Sequence, residues 1–125
     1  MGRLATDFHL PPLVYAWMVA AFVRVATGSA TVSITVGSGL LADFLTNAAA
    51  SGAPPLVNIE LAIIALGCGS LFLSHLNDGG FWIVKDCLGL TVPQTLKTWT
   101  VTETIVGIAG LIITLGVHAV WVAMH

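Results

Sequence analysis

Charged side chains are the scarcest component of this chain of 125 residues. Lysine, arginine, aspartate and glutamate together make up 8% of the sequence, with four basic residues against six acidic ones. A soluble domain of ordinary composition is about 25% charged. So few charges cannot cover the surface of a soluble fold that is 57% apolar. The composition therefore excludes a soluble enzyme and a disordered segment, and it indicates an integral membrane protein in contact with the lipid bilayer.

Two further absences narrow the functional classes. The formal net charge is −2, so the chain has no basic surface of the kind that binds nucleic acid. Its two cysteines, Cys68 and Cys87, form neither a metal-binding spacing nor a disulfide framework. Because the sequence offers no nucleophile with a partner base and no set of three metal ligands, we predict no catalytic residue and no cofactor.

Apolar runs of different lengths predict an all-α polytopic membrane protein. Only the last run meets the requirement of about 20 apolar residues for a spanning helix. We predict a transmembrane helix over residues 101–124, with Trp99 and Trp121 near its ends. The first run, residues 11–27, corresponds to about 24 Å of helix, which is shorter than a hydrocarbon core of about 30 Å. A small, hydroxyl-rich stretch follows, and then a second apolar arm over residues 32–48.

These two arms have two interpretations. Residues 10–48 can form a re-entrant hairpin, since irregular backbone is tolerated at membrane depth where protein or a water-filled cavity surrounds it. Two ordinary spans joined by an external Gly-Ser turn fit the same hydropathy. After the arms, Pro54 and Pro55 break the chain. Asn58 is then suited to cap a new helix that carries Glu60 in its first turn.

The helix after Asn58 is predicted to be discontinuous over residues 59–88. It begins as an apolar helix to about residue 73, continues through a polar interruption at residues 74–80, and ends in a short amphipathic helix. Broken helices of this kind hold the substrate or ion sites of many transporters. Residues 89–98 are interpreted as a loop. The flanking Lys85 and Lys97 indicate that this loop is cytoplasmic and that the C-terminus is periplasmic.

Two polar clusters carry the candidate binding groups. At the tip between the two arms, helix N–H groups and hydroxyls could receive a carboxylate and sugar-like hydroxyls. The second cluster is the interruption of the broken helix. The predicted substrate-binding residues are Arg24, Thr27, Gly28, Ser29, Thr31, Ser74, Asn77, Gly79 and Gly80. The alternative interpretations are a packed interface of small residues or a plain turn at the first cluster, and a solvated loop at the second.

Asp78 and His75 are the candidate proton-coupling residues, because ionisable groups inside a membrane are costly unless they are paired or functional. We expect Asp78 rather than His75 to carry the proton, on the premise that Asp78 is buried without a fixed cation. Arg24 either binds an anionic substrate, pairs with a carboxylate such as Asp78, or extends to the membrane surface. No metal site is predicted, because His75 and Asp78 supply only two ligands.

Three segments resemble the gluconate permease family of GntP-type proton symporters. They read RVATGSATV at residues 24–32, GCGSLFLSHLNDGGFW at residues 67–82 and KTWTVTET at residues 97–104. Their order is similar to that in the C-terminal part of the family, although Gly79 stands where the family often has serine. The resemblance implies uptake of gluconate or a related sugar acid together with protons across the bacterial inner membrane.

The resemblance also implies an architecture. Family members are similar to transporters in which two inverted repeats each contribute a re-entrant hairpin and a broken helix. This chain would supply one repeat, with the hairpin at residues 10–48, the broken helix at residues 59–88 and the last transmembrane helix at residues 101–124. We therefore expect a C-terminal fragment whose partner is the missing N-terminal repeat. A non-transporting membrane interaction subunit, or an inactive truncated gene product, is the alternative.

Overall fold

The computed structural model describes residues 11–52 and 58–124. In these two ranges it contains six α-helices and one π-helix, and no β-strand. The helices are α1 Pro12–Thr27, α2 Ala30–Ala50, α3 Ile59–Gly69, α4 Gly79–Cys87, α5 Val92–Thr95, the π-helix Leu96–Thr100 and α6 Val101–Met124. The prediction of an all-α protein is confirmed. The predicted break at Pro54 and Pro55, and the first residue of the predicted hairpin, lie outside the described residues.

Two helical segments are long and apolar enough to cross a membrane. One is α2, with 21 residues, and the other is the continuous helix formed by α5, the π-helix and α6, with 33 residues. The apolar helices α1 and α3 are shorter. Large side chains on α6, among them Ile105, Ile112 and Ile113, are exposed. Such a surface suits contact with lipid chains, because they solvate apolar groups that water would not.

The centre of the structure is α1, which packs against α2, α3 and α6. Its buried face is built mainly from Leu13, Ala16 and Ala20. Helix α3 approaches this face closely because Gly69 has no side chain. A Cβ atom at this position would collide with the carbonyl oxygen of Trp17. Close backbone packing of this kind is what holds membrane helices together where lipid is as apolar as leucine.

The helix α6 contacts the rest of the chain along one face, which we call the α6 stripe. Its positions recur at intervals of three and four residues, and all of them are buried or half-buried. They are Thr100, the last residue of the π-helix, followed by Glu103, Gly107, Gly110 and Thr114 of α6. At the centre of the stripe, Trp17 Nε1 in α1 donates a 2.9 Å hydrogen bond to the carbonyl of Gly107. A Cβ atom at Gly107 would lie 2.8 Å from the carbonyl oxygen of Cys68 in α3.

The start of α2 differs from the prediction. The helix begins at Ala30, two residues earlier than expected, and continues to Ala50, so it is not a short arm. Ser29 explains the early start, because its hydroxyl accepts a hydrogen bond from the N–H of Val32 at 3.3 Å and thereby caps the helix. The hairpin is therefore asymmetric, with 16 residues in α1 and 21 in α2.

The predicted loop at residues 89–98 is wrong, since only residues 88–91 separate α4 from α5. Thr91 and Gln94 form a capping box: the Thr91 hydroxyl accepts from the Gln94 N–H at 3.4 Å, and the Gln94 side chain accepts from the Thr91 N–H at 2.9 Å. Pro93 lies in the first turn of α5, where a missing N–H costs nothing. The proline therefore marks the start of a helix, not a break.

The helix interruption after α3 is observed, and it begins earlier than predicted. Asn58 caps α3 as expected, accepting from the N–H of Glu60 at 2.9 Å. However, α3 ends at Gly69, so residues 70–78 are non-helical. Within them Leu73 has a φ of 50°, which is unusual for a bulky side chain and indicates that surrounding contacts impose this turn.

The two glycines Gly107 and Gly116 of α6 provide a matched test of this packing. We expect Gly107→Ala to lower the free energy of unfolding by about 1–3 kcal/mol, because the new methyl group meets the backbone of α3. Nothing lies within 4 Å of a Cβ atom at Gly116, so Gly116→Ala should be neutral or stabilising by up to about 1 kcal/mol. Denaturant unfolding in detergent measures both, and equal effects would contradict close packing at Gly107.

Candidate functional site at the junction of two helix interruptions

The turn between α1 and α2 lies against the interruption between α3 and α4. Gly28 ends α1 with a φ of 72°, and a Cβ atom there would collide with the carbonyl of Asn77. In return, Asn77 Nδ2 donates a 2.9 Å hydrogen bond to the carbonyl of Val25, one of the acceptors in the last turn of α1. The two clusters predicted from the sequence are therefore adjacent, and glycine is required between them by both conformation and space.

A buried ion pair joins the two interruptions. Arg24 Nη2 lies 2.6 Å from Asp78 Oδ2, and the two residues are only 4% and 7% exposed. The other terminal nitrogen of the guanidinium, Nη1, donates to the carbonyl of Gly28 at 2.8 Å. Arg24 Nε is buried and has no hydrogen-bond partner within the described residues. Arg24 thus contacts both interruptions and keeps one donor unused.

Asp78 receives hydrogen bonds from three groups. The hydroxyl of Ser74 and the guanidinium of Arg24 donate to Oδ2, and the N–H of Gly80 donates to Oδ1 at 3.0 Å. The last contact makes Asp78 the N-cap of α4. The premise that Asp78 is buried without a fixed cation is therefore wrong. Pairing of Arg24 with Asp78, one of the alternatives left open by the sequence, is observed.

The π-helix supplies two further contacts that the sequence analysis missed. Trp99 Nε1 donates to the Ser74 hydroxyl at 2.9 Å, and Thr100 Oγ1 donates to the Ser74 carbonyl at 2.5 Å. Ser74, which is 1% exposed, is thereby tied to the start of α6. Hydropathy assigned Trp99 only to the membrane interface. The signal that could have identified these residues is the KTWTVTET segment, which resembles the family but was given no role.

Glu103 is a second carboxylate at this site, and the sequence analysis also missed it. It lies on the α6 stripe, half-buried, one helical turn beyond Thr100. Its charge is close enough to interact with the charges of both Arg24 and Asp78. The spacing of the stripe could have revealed it, because a glutamate between a buried threonine and a buried glycine faces the packed side of a helix. No group of three or more potential metal ligands occurs in the described ranges.

Thr27 and Ser29 lie beside Gly28 in the turn, and both use their hydroxyls locally. Thr27 Oγ1 donates to the carbonyl of Val23 at 2.8 Å, while Ser29 caps α2. Thr31 is exposed on the first turn of α2. These three hydroxyls belong to the turn and the first residues of α2, and none of them is hydrogen-bonded to Arg24 or Asp78 within the described residues.

Gly79 and His75 lie on either side of Asp78 in the chain. Gly79 is exposed at the first position of α4. His75 is half-buried, and its ring nitrogen Nδ1 lies 2.7 Å from the carbonyl of Leu73. Only the backbone of His75 contacts Asp78, through a 2.8 Å hydrogen bond from the Asp78 N–H to the His75 carbonyl. The imidazole therefore makes no hydrogen bond to either member of the ion pair in the described residues.

Comparison with known sequences identifies the family, since the model for GntP family permeases matches residues 1–121. The chain belongs to the GntP permease family. The resemblance carried by the three sequence segments is thus confirmed, and this GntP permease chain is not an enzyme. It is 45% identical to the gluconate permease of Pseudomonas aeruginosa, over 90% of this chain and 24% of that protein.

Two relatives from Escherichia coli (strain K12) give a similar result for the GntP chain. The high-affinity gluconate transporter is 41% identical over 90% of this chain and 24% of its own length. The Gnt-II system L-idonate transporter is 41% identical over 96% of this chain and 26% of its own length. The chain thus spans about a quarter of the length of these relatives. No solved structure matches it.

The ion pair in this GntP chain predicts a large coupling between two substitutions. Arg24→Gln and Asp78→Asn should each lower the free energy of unfolding by about 3–5 kcal/mol, because each leaves an unpaired buried charge. The double variant should be more stable than the sum of the single effects by about 0.5–3 kcal/mol. Unfolding in detergent measures this cycle. Lys85→Gln is the control, since its exposed pair with Asp86 should contribute about 1 kcal/mol or less. Additive effects at Arg24 and Asp78 would contradict the pairing.

Gly28 and Gly52 provide a matched pair for the close approach of the two interruptions. Both have a positive φ, of 72° and 76°, but only Gly28 has a neighbour within 4 Å of an added Cβ atom. Gly52→Ala should therefore cost about 1–2 kcal/mol for the left-handed conformation alone. Gly28→Ala should cost more, because it also pushes Asn77 away and separates Arg24 from Asp78. Unfolding measurements that give both variants the same loss would contradict this contact.

Proposed function

We propose that this chain is the C-terminal part of a transporter that takes up gluconate or a related sugar acid with protons across the bacterial inner membrane. The observation that carries the proposal is the buried Arg24–Asp78 pair at the meeting point of two helix interruptions. Transporters with repeated architecture bind substrates and ions at such interruptions. The names of the relatives, which specify gluconate and L-idonate, support a sugar acid as the substrate.

In this proposal, Arg24 binds the carboxylate of the substrate. A guanidinium can present two parallel N–H donors to a carboxylate, and Arg24 Nε is a buried donor without a partner in the described residues. The substrate hydroxyls would bind the side chains of Thr27, Ser29, Thr31, Ser74 and Asn77. Gly28, Gly79 and Gly80 lack side chains, and a ligand can therefore approach the backbone at these positions.

The same proposal gives the chain a multi-pass arrangement with a re-entrant hairpin. The continuous helix of 33 residues is about 50 Å long, so a hydrocarbon core of about 30 Å centred on it includes Thr100 and Glu103 within about 7 Å of its cytoplasmic edge. The tip of the α1–α2 hairpin lies at a similar depth, because Arg24 pairs with Asp78 at the junction that Thr100 also contacts through Ser74. With Lys85 and Lys97 in the cytoplasm, the hairpin opens towards the periplasm and the C-terminus is periplasmic. An N-terminal inverted repeat would supply the opposite wall of the site.

The proton site in this proposal belongs to the charged cluster around the ion pair, with Asp78 and His75 as the members predicted from the sequence. A sugar acid carries one negative charge, and a proton taken up with it would cancel that charge during transport. Removing the coupling group should leave an exchanger, which still binds and swaps substrate but no longer concentrates it. Removing a residue that only supports the fold should reduce binding and concentration together.

Uptake of labelled gluconate into membrane vesicles tests the proposal. The assay uses the complete transporter. This consists of the present chain and the remaining part of a polypeptide as long as the relatives. An imposed pH gradient, acidic outside, should drive accumulation that a protonophore abolishes. Arg24→Gln should weaken substrate binding by about tenfold or more, because it removes a charged hydrogen bond. Lys85→Gln should match the wild type.

Four results would contradict this proposal or part of it. Absence of gluconate-dependent uptake would contradict the substrate class, and uptake indifferent to the pH gradient would contradict proton coupling. A chain that copurifies with another helix bundle but never supports uptake would favour the interaction subunit instead. Undiminished gradient-driven uptake by both His75→Gln and Asp78→Asn would remove these two side chains from the coupling mechanism.

A further inference from the structure

Asp78 is poorly arranged to gain and lose a proton during each transport cycle. Its carboxylate binds Arg24, accepts from Ser74 and caps α4 through Gly80. Protonation would remove the charge that partners Arg24, and would leave the guanidinium buried and unpaired. Each cycle would then disrupt the contacts that hold the two interruptions together. The geometry fits a permanently ionised Asp78 better than a titrating one.

Glu103 has the opposite arrangement. Its half-buried carboxylate accepts no hydrogen bond from any residue in the described ranges, so protonation would break no contact there. The charged groups that act on it are Arg24 from α1 and Asp78 from the N-cap of α4. Helix α3 packs along the same stripe, where the carbonyl of Cys68 lies beside Gly107 and its thiol, the one titratable group that α3 brings to the stripe in the described residues, lies beside Gly110.

Two hydrogen bonds fix Glu103 near the ion pair. One turn before it, Thr100 is bonded to the carbonyl of Ser74. One turn after it, the carbonyl of Gly107 accepts from Trp17 in α1. Because α6 is held on both sides of Glu103, the backbone at this position stays beside the junction while these contacts persist. The position of Glu103 thus follows from the packing of α6 and not from its own charge.

The charges of the cluster give Glu103 a role in coupling. With both carboxylates ionised, Arg24, Asp78 and Glu103 carry a net charge of −1, which opposes the entry of a sugar-acid anion. A proton on Glu103 makes the cluster neutral while the Arg24–Asp78 pair stays intact. Resting on the proposed function above, we propose that Glu103 is the residue whose protonation couples sugar-acid binding to proton uptake.

The charge balance of the cycle is one proton per substrate monoanion. A proton from the outer solution binds a carboxylate oxygen of Glu103 and forms the neutral acid, and the substrate carboxylate then binds beside Arg24. Both leave on the cytoplasmic side, which returns Glu103 to its anion. Because binding free energies are linked reciprocally, the protonated cluster binds the anion more tightly, and the bound anion retains the proton.

The test compares Glu103→Gln, Asp78→Asn and the control Glu60→Gln in the complete transporter. Glu60 is an exposed carboxylate on α3, outside the cluster. Gradient-driven accumulation of gluconate is measured alongside exchange of labelled for unlabelled gluconate at equal pH on both sides. Glu103→Gln should lose about tenfold or more in accumulation, and its exchange should persist and become independent of pH. Asp78→Asn should lose accumulation and exchange together, and Glu60→Gln should lose neither.

Accumulation by Glu103→Gln at the wild-type level would overturn the inference, as would loss of its exchange in protein that reaches the membrane in normal amount. If that variant does not reach the membrane, Glu103→Asp decides. It keeps a carboxylate at a changed depth, so its accumulation should show a displaced pH profile, and a profile identical to wild type would overturn the inference. A wild-type protein without proton-driven accumulation would instead contradict the proposed function itself.

Discussion

The ion pair between Arg24 and Asp78 is the interaction on which the surrounding contacts depend. Removing either charge from water costs several kcal/mol, and only close pairing with additional hydrogen bonds offsets that cost. The end of α1 must therefore meet the start of α4, although the two residues are 54 positions apart in the chain. Gly28 and Asn77 can touch because no side chain separates them. Ser74 then links this junction to the beginning of α6.

The rest of the packing follows from a surface adapted to lipid. Large apolar residues such as Ile112 and Ile113 face outward, while the buried faces of α1 and α3 contain alanine and glycine. In lipid, burying a leucine gains little, so helix association depends on close van der Waals contact and on hydrogen bonds between helices. The bond from Trp17 to the Gly107 carbonyl combines both, because it requires a backbone that no side chain covers.

Hydropathy predicted the all-α class and the last helix well, because each depends on apolar content over a long window. Asn58 was predicted as a cap from its own chemistry, and the interruption from its asparagine, aspartate and glycines. The partner of Arg24 could not be chosen from spacing, since the pairing depends on how α1 packs against α3. The prediction of a loop at residues 89–98 was wrong because a proline in a first turn, such as Pro93, and a proline that breaks a helix differ only in the residues that cap them.

For a related reason, the place of Glu103 at the site was not predicted. A count of charges along the chain treats a glutamate as the boundary of an apolar run, whereas its effect depends on the helix face that carries it. That face becomes visible only when Thr100, Gly107 and Gly110 are considered as one stripe. Residues with a function in coupling are difficult to predict in general, because their surroundings come from elements far away in sequence.

The π-helix Leu96–Thr100 gives this region a particular mechanical property. A π-turn contains more residues than an α-turn, so the side chains that follow it are rotated relative to those that precede it. Trp99 and Thr100 form their hydrogen bonds to Ser74 from within this π-turn. Relaxation to a regular α-turn would change the helical register and rotate one end of the 33-residue helix about its axis relative to the other. The loss of the Trp99 and Thr100 hydrogen bonds to Ser74 and the rotation of the buried face of α6 would then be one movement.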